Sequence, residues 1–241
     1  EISLGLVGSE MCIRDSIESL YYNLPDQPEF QLSCADLPKD SGAVVLTRHS
    51  IRPPMHAGHF GTPLELNEEG IRIARKFGRS WGDRIHKVST SSSLRCVQTG
   101  NEIIHGAKLQ QPVLHNPWLG EPGAFISDSG QAVVAFQDLD PIGIVNRMLG
   151  GEKIQGHRTV EEGSVLLLKS FLNKLPEKGN IHVEVTHDTI LAALLYFLQG
   201  LDSIGEEDWP RMMEGAIFWR KAGRVYWRWR RETCSREMLV R

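Results

Sequence analysis

A chain of 241 residues, 41% hydrophobic and 24% charged, is long enough for one large domain with a substantial core. Its net charge of −3 argues against a surface built to grip nucleic acid. The longest apolar block, Leu191 to Leu198, is far too short to span a bilayer, so no membrane role is expected. Four scattered cysteines, Cys12, Cys34, Cys96 and Cys234, form no Cys-x-x-Cys pair. They suggest neither a zinc ribbon nor a redox motif, and they fit a reducing compartment. With no basic stretch leading into an apolar core at the start, a cytoplasmic location is expected.

In chain order, residues 1–16 show neither helical nor strand periodicity and resemble translated library-adaptor sequence. They are expected to be non-native or disordered, outside a single domain over residues 17–232. Ile17 to Asp40 is a Pro-containing lead-in. Ala43 to Leu46 is an apolar run of the length and branching of a buried strand. Arg48, His49 and Arg52 follow it, and Pro53-Pro54 then forbid a continuing ladder. Asn67 can cap a helix to about Trp81 with Ile71, Ala74, Phe77 and Trp81 on one face. Ile85 to Thr90 reads as a strand. Ser91-Ser92-Ser93 offers an N-cap for a helix from Leu94 to about His105. Segment His115 to Asp140 is rich in loop residues, with Glu121 between glycine and proline. Pro141 to Leu149 reads as a short helix. Thr159-Val-Glu-Glu162 is a capping box for a helix to about Leu175, with Val165, Leu168, Leu172 and Leu175 inward. Ile181 to Thr186 alternates Ile181, Val183 and Val185 against His182 and Glu184, so it reads as a strand with one polar side, and it runs into His187-Asp188 and an apolar helix. Ala216–Trp219 and Val225–Arg230 flank a hairpin turn at Lys221-Ala-Gly223, and residues 233–241 are expected to fray. Alternating strands and helices predict an α/β fold, a three-layer sandwich whose mostly parallel central sheet carries helices on both faces.

In a parallel sheet the carboxyl ends of strands share one edge, which is where ligands bind. Three strand ends here carry polar groups: Arg48, His49 and Arg52 after one, Arg95 after a second, and His187-Asp188 after a third. No acidic residue lies between Asp40 and Glu65, so the first group has no local counter-charge. Arg95 falls in the first turn of a helix, where a cation opposes the helix dipole unless an anion docks there. Guanidinium forks around an imidazole suit a phosphoryl dianion. Neighbouring cations also keep the imidazole neutral, as attack on phosphorus requires.

These residues resemble the signature of the histidine phosphatase superfamily. Arg48-His49-Ser50-Ile51-Arg52-Pro53-Pro54 is similar to the Arg-His-Gly-x-Arg-x-Pro block of its acid phosphatase branch, with Ser50 in place of the usual glycine. Ser91-Ser-Ser-Leu-Arg95-Cys-Val-Gln-Thr99 resembles the family's Ser-x-x-x-Arg-x-x-x-Thr segment. Thr186-His187-Asp188 resembles its second histidine block, and Met213-Glu214-Gly215 a late family turn. The resemblance implies a phosphoglycerate mutase-like fold and a phosphomonoester hydrolase acting on a small phosphorylated substrate, without cofactor or metal. His49 would be the nucleophile, forming a phosphohistidine; Arg48, Arg52, Arg95 and His187 would bind the phosphoryl oxygens. Asp188 is preferred as the general acid, with Glu121 as competitor, since a mid-chain glutamate does this in the mutase branch. Mutase-like phosphotransfer and phosphohistidine protein phosphatase activity remain alternatives, as does a catalytically silent phosphate-binding module.

His56-Ala-Gly-His59 has ligand-like spacing, but three arginines in the same pocket would repel a divalent cation. Aromatics interleave with basic residues from Trp219 to Arg231, a pattern seen in single-strand binding. Strand alternation instead favours a hairpin with one buried aromatic face and one solvated basic face.

Overall fold

The computed structural model of the chain describes residues 32–54, 64–120, 122–173 and 175–237. The segment 1–16, with its expected non-native character, lies outside them, as do His56, His59 and Glu121. A seven-stranded sheet runs in the order β3-β2-β4-β1-β5-β6-β7. Its strands are β1 (Ala43–Arg48), β2 (Ile85–Thr90), β3 (Leu114–His115), β4 (Ile181–Thr186), β5 (Gly215–Lys221), β6 (Arg224–Trp229) and β7 (Glu232–Glu237). Helices are α1 (Glu68–Trp81), α2 (Leu94–Ala107), α3 (Ser129–Asp138), α4 (Pro141–Leu149), α5 (Val160–Leu172) and α6 (Asp188–Gln199).

The sheet is mixed. Strands β3, β2, β4 and β1 are mutually parallel, and β5, β6 and β7 continue it antiparallel. Side chains of β1 alternate between two cores. Ala43 and Val45 meet Ala74, Trp81, Cys96 and Ile103 of α1 and α2. Val44 and Leu46 meet Leu167 and Phe171 of α5 and Leu191 and Leu194 of α6. With both faces covered, each large aliphatic side chain stabilises the sandwich by about 1.5–3 kcal/mol. In register, Arg48 pairs with Thr186 and Thr90 with Val185, so β1, β2 and β4 end together at one edge. Gly215 opens β5 where an added Cβ would lie 2.5 Å from the Leu46 carbonyl oxygen, so only glycine lets the strand pass so close to β1.

Several expectations need correcting. His182 and Glu184 do not face solvent: all six residues of β4 are buried, because the strand is flanked on both edges and covered on both faces. Glu184 instead accepts from Asn116 at 3.2 Å and pairs with Lys87 at 3.4 Å. The buried face of α1 is Gly70, Ala74, Gly78 and Trp81, with Ile71 and Phe77 only partly covered. Helix α5 stops at Leu172 and buries Gly163, Ser164, Leu167, Leu168, Phe171 and Leu172; Val165 is only partly covered. A helix, α3, lies inside the stretch read as loop, capped by Asp128 on the Gln131 amide. Residues 232–237, expected to fray from Thr233, instead pair antiparallel with β6 from Trp229–Glu232 to Arg224–Glu237. Among the described residues no helix is long and apolar enough to cross a membrane. The hairpin has the expected buried aromatic face, with Val225, Trp227 and Trp229 in the core. Its other face is not the solvated basic one expected: Trp219 packs on the second core and stacks on Tyr226, and Arg228 pairs with Asp36 at 2.7 Å.

Candidate active site

Where β1 ends, Pro53-Pro54 turn the chain away, and Arg48 and His49 are left against the end of β4. The His49 amide donates to the Thr186 carbonyl at 2.9 Å. Both side chains are almost fully buried, at 1% and 2% exposure. The His49 Nδ1–H donates to the Ser50 carbonyl oxygen at 2.8 Å, which fixes the tautomer and leaves the Nε2 lone pair outward. Arg95, in the first turn of α2, donates from Nε to that Nε2 at 3.2 Å and from Nη2 to His187 Nδ1 at 3.1 Å. One guanidinium therefore bridges two imidazoles. Because arginine only donates, His187 Nδ1 must be the acceptor. His187 Nε2 then carries the proton and gives it to Ser91 Oγ at 2.9 Å. The cation in the first helical turn is thus balanced in part by two ring lone pairs.

Ser50 keeps an ordinary negative φ, so its replacement of glycine brings no backbone strain. Its hydroxyl donates to the Gly70 carbonyl at 2.7 Å, and its amide donates to Thr99 Oγ1 at 3.0 Å. Thr99 in turn donates to the Arg95 carbonyl at 2.7 Å, tying the His49 loop to α2. Ser93 occupies the N-cap of α2 without a side-chain cap bond; its amide instead donates to Ser91 Oγ at 3.2 Å.

Arg48 Nη2 meets Asp188 Oδ2 at 2.6 Å, and Nη1 donates to the Pro210 carbonyl at 2.7 Å. Asp188 begins α6, where the helix dipole favours its charge, and Oδ1 accepts the Thr189 amide at 2.8 Å. Arg52 donates to the Pro53 carbonyl at 2.8 Å, and its charge is felt at both His187 and Asp188. Burial, then Arg48, Arg95 and His187, hold the His49 imidazole well below its usual range. Burial and then Arg95 do the same for His187. For Asp188 burial pushes the carboxyl up, but Arg48, the Thr189 amide, His187 and Arg52 outweigh it and hold it down. At neutral pH both rings are uncharged and the carboxyl is ionised. Three guanidiniums against one carboxylate leave this pocket strongly cationic.

The structure therefore brings together Arg48, His49, Arg52, Arg95, His187 and Asp188, as the sequence implied, while Glu121 falls outside the described residues. Sequence reasoning missed the supports. Ser91 lies inside the quoted motif, but its bond to His187 has no sequence signature. The Pro210 carbonyl is backbone and carries none either. Gly120, with φ 144°, packs so close that a Cβ would sit 2.5–2.6 Å from the His187 ring. Its neighbourhood, Trp118-Leu-Gly-Glu-Pro-Gly, was the one available hint. Among the described residues, no three His, Cys, Asp or Glu side chains converge as a metal site would need.

No protein-family model matches the chain, and no curated protein matches it in sequence. Solved structures do match in shape. A mycobacterial glucosyl-3-phosphoglycerate phosphatase superposes with TM-score 0.50 at 17% identity, over 81% of this chain and 96% of its own. A structure described as mycobacterial hydrolase 2 superposes with TM-score 0.50 at 15% identity, over 80% and 92%. A phosphoglycerate mutase from Bacillus anthracis str. Sterne gives TM-score 0.49 at 17% identity, over 83% and 94%. At such identities the likeness speaks for architecture alone: the chain has the three-layer α/β fold of these solved structures.

Proposed function

We propose that the chain is a phosphomonoester hydrolase that works through a phosphohistidine at His49. The observation that carries this reading is the buried His49 ring, its Nδ1–H locked to a carbonyl and its Nε2 met by Arg95. A neutral imidazole held at a fixed angle amid guanidiniums is what in-line attack on a phosphoryl dianion needs. On binding, phosphoryl oxygens replace Nε2 as the acceptor of Arg95, freeing the lone pair. Nε2 forms a bond to phosphorus as the bond to the ester oxygen breaks, and Arg48, Arg52 and Arg95 hold the charge that develops.

The leaving alkoxide needs a proton, and Asp188 is the preferred donor, with Glu121 as competitor. Asp188 is ionised beforehand, but a dianion beside it shares its cations and adds like charge, and both effects raise its proton affinity. The aspartate then deprotonates the water that releases phosphate from His49. His187 holds the Arg95 guanidinium through Nδ1, and its Nε2–H, now on Ser91, joins the arginines as a phosphoryl ligand when a substrate oxygen takes the place of the hydroxyl. No metal or cofactor enters these steps, and the substrate is a small phosphomonoester; mutase-like transfer or action on phosphohistidine proteins would use the same first step.

Release of inorganic phosphate from an aryl phosphate, together with trapping of an acid-labile phosphoryl group on the protein, tests this. Both should vanish in His49→Ala. Equal release by the mutant overturns the enzyme, and tight phosphate binding without release by wild type identifies a silent binding module.

A further inference from the structure

We infer that Glu214, through its salt bridge with Arg230, is a positioning residue for Arg48 and, through Arg48, for Asp188; this rests on the hydrolase reading above. The Glu214 carboxylate is fully buried, where an unpaired charge is strongly unfavourable. It is met from two directions. Oε1 accepts from the Trp229 indole at 2.7 Å and from Arg230 Nε at 2.8 Å. Oε2 accepts from the Arg211 amide at 2.8 Å and from Arg230 Nη2 at 3.4 Å. Arg230, its guanidinium 4.3 Å from the centre of the Trp229 ring, also donates to the Asp208 carbonyl at 2.9 Å. A single arginine in the turn between β6 and β7 thus grips both ends of the segment from Asp208 to Glu214.

That segment is what holds Arg48. Pro210 supplies the carbonyl for Nη1, and the Glu214 carbonyl accepts the Arg48 amide at 2.9 Å. The Met213 amide donates to the His49 carbonyl at 3.3 Å, and Met213 itself sits at φ 60°, a backbone state that a non-glycine residue keeps only under outside restraint. With Nη1 fixed on Pro210, the guanidinium plane is fixed, and Nη2 is aimed at Asp188. A buried ion pair is weak evidence for stability, since apolar replacements often do as well. Its placement here, one carbonyl away from the arginine that faces the reacting groups, makes geometry its task. Arg230 and Tyr196 face Glu214, and Asp208 faces both of them; the groups facing Asp188 are Arg48, Arg52 and His187. Loosening the segment relaxes the hold of Arg48 on Asp188, whose proton affinity then rises.

Three variants test this: Glu214→Gln, Arg230→Met and Arg230→Lys. The first two should lower kcat on an aryl phosphate by about tenfold or more, as small displacements of a positioning group do. They should also move the titration midpoint of the Asp188 carboxyl, followed by carbon-13 NMR, to higher pH, and with it the corresponding limb of the pH–rate profile. Arg230→Lys keeps the charge beside Glu214 but not the fork, so it should fall between wild type and Arg230→Met in both. Folded Glu214→Gln or Arg230→Met protein with wild-type kcat and an unmoved Asp188 midpoint overturns the inference. If Glu214→Gln does not fold, the partly exposed Arg230→Met decides. If wild type releases no phosphate, or His49→Ala releases as much, the hydrolase reading falls, and the NMR midpoint alone decides whether Glu214 acts on Asp188.

Discussion

Replacing Arg95 separates its two tasks. Its guanidinium spans Nε2 of His49 and Nδ1 of His187 with donors at 3.2 and 3.1 Å. Lysine keeps the charge but has a single ammonium centre on a flexible stem, and cannot hold both rings in one plane. Losing one aimed donor to developing charge costs on the order of 10²–10³ in turnover, about 3–4 kcal/mol, and Arg95→Lys should show that loss. Arg95→Met should lose as much or more and also change the pH dependence. Arg95 is one of the cations that hold His49 and His187 below their usual range. Without it both rings gain protons more readily. Protonated His49 cannot attack, so the acid limb of kcat/KM should move to higher pH in Arg95→Met and stay near its wild-type position in Arg95→Lys. Steady-state release of an aryl phosphate product from pH 4 to 8 reads both effects. Turnover of Arg95→Met within threefold of wild type, or an acid limb that stays put or moves down, would refute the bridging role.

Asp188→Asn should lose about 10²–10⁴-fold on an alkyl phosphate, whose leaving group needs the proton, and much less on an aryl phosphate; equal losses would point to Glu121 as the donor. Acid should unfold the protein through its buried histidines. His182 is pushed down to about 4 by burial, Lys87 and His86, while the unfolded ring titrates near 6.5, so its contribution is whole above pH 6.5 and lost as pH falls toward 4. That contribution is about 3 kcal/mol, or roughly 6–12 °C in Tm, and His182→Leu should flatten the fall measured in thermal melts. Ser50→Gly, which introduces the glycine of the signature this stretch resembles, should leave kcat intact but lower stability in urea by about 1–2 kcal/mol, since the bond to the Gly70 carbonyl is lost and the unfolded chain gains freedom.

Most of the elements were legible because their signals are local. β2, β4 and α4 begin and end where the sequence places them, and Asn67 and Thr159 cap helices as read, accepting the amides of Gly70 and Glu162. What failed depends on neighbours. His182 and Glu184 look solvent-facing only until β2 and β1 close on either side of β4 and Asn116 and Lys87 supply partners. Helix α3 exposes Val133 and Val134 at 54% and 53%, so it lacks the apolar stripe that marks a helix, and only its Asp128 cap was there to read. Strand β7 is polar but for Cys234, which packs on the core, as an edge strand can be: the β6 ladder holds it, and composition says nothing of that.

The site divides along the same line. Side chains that carry charge or a ring announced themselves by type and by their place after strands: Arg48, His49, Arg95, His187 and Asp188 all meet. What gives them chemistry is which atom faces which, and that is decided by backbone oxygens of Ser50 and Pro210 and by one hydroxyl, Ser91. A carbonyl is present at every residue, so no spacing rule could single these out. The consequence is physical. With Nδ1 tied down, His49 can offer only Nε2; with Nη1 tied down, Arg48 can turn only Nη2 to Asp188. Under the proposed phosphoryl chemistry the residue types supply the groups, and the fixed backbone oxygens select one nitrogen on each ring and each fork to perform it.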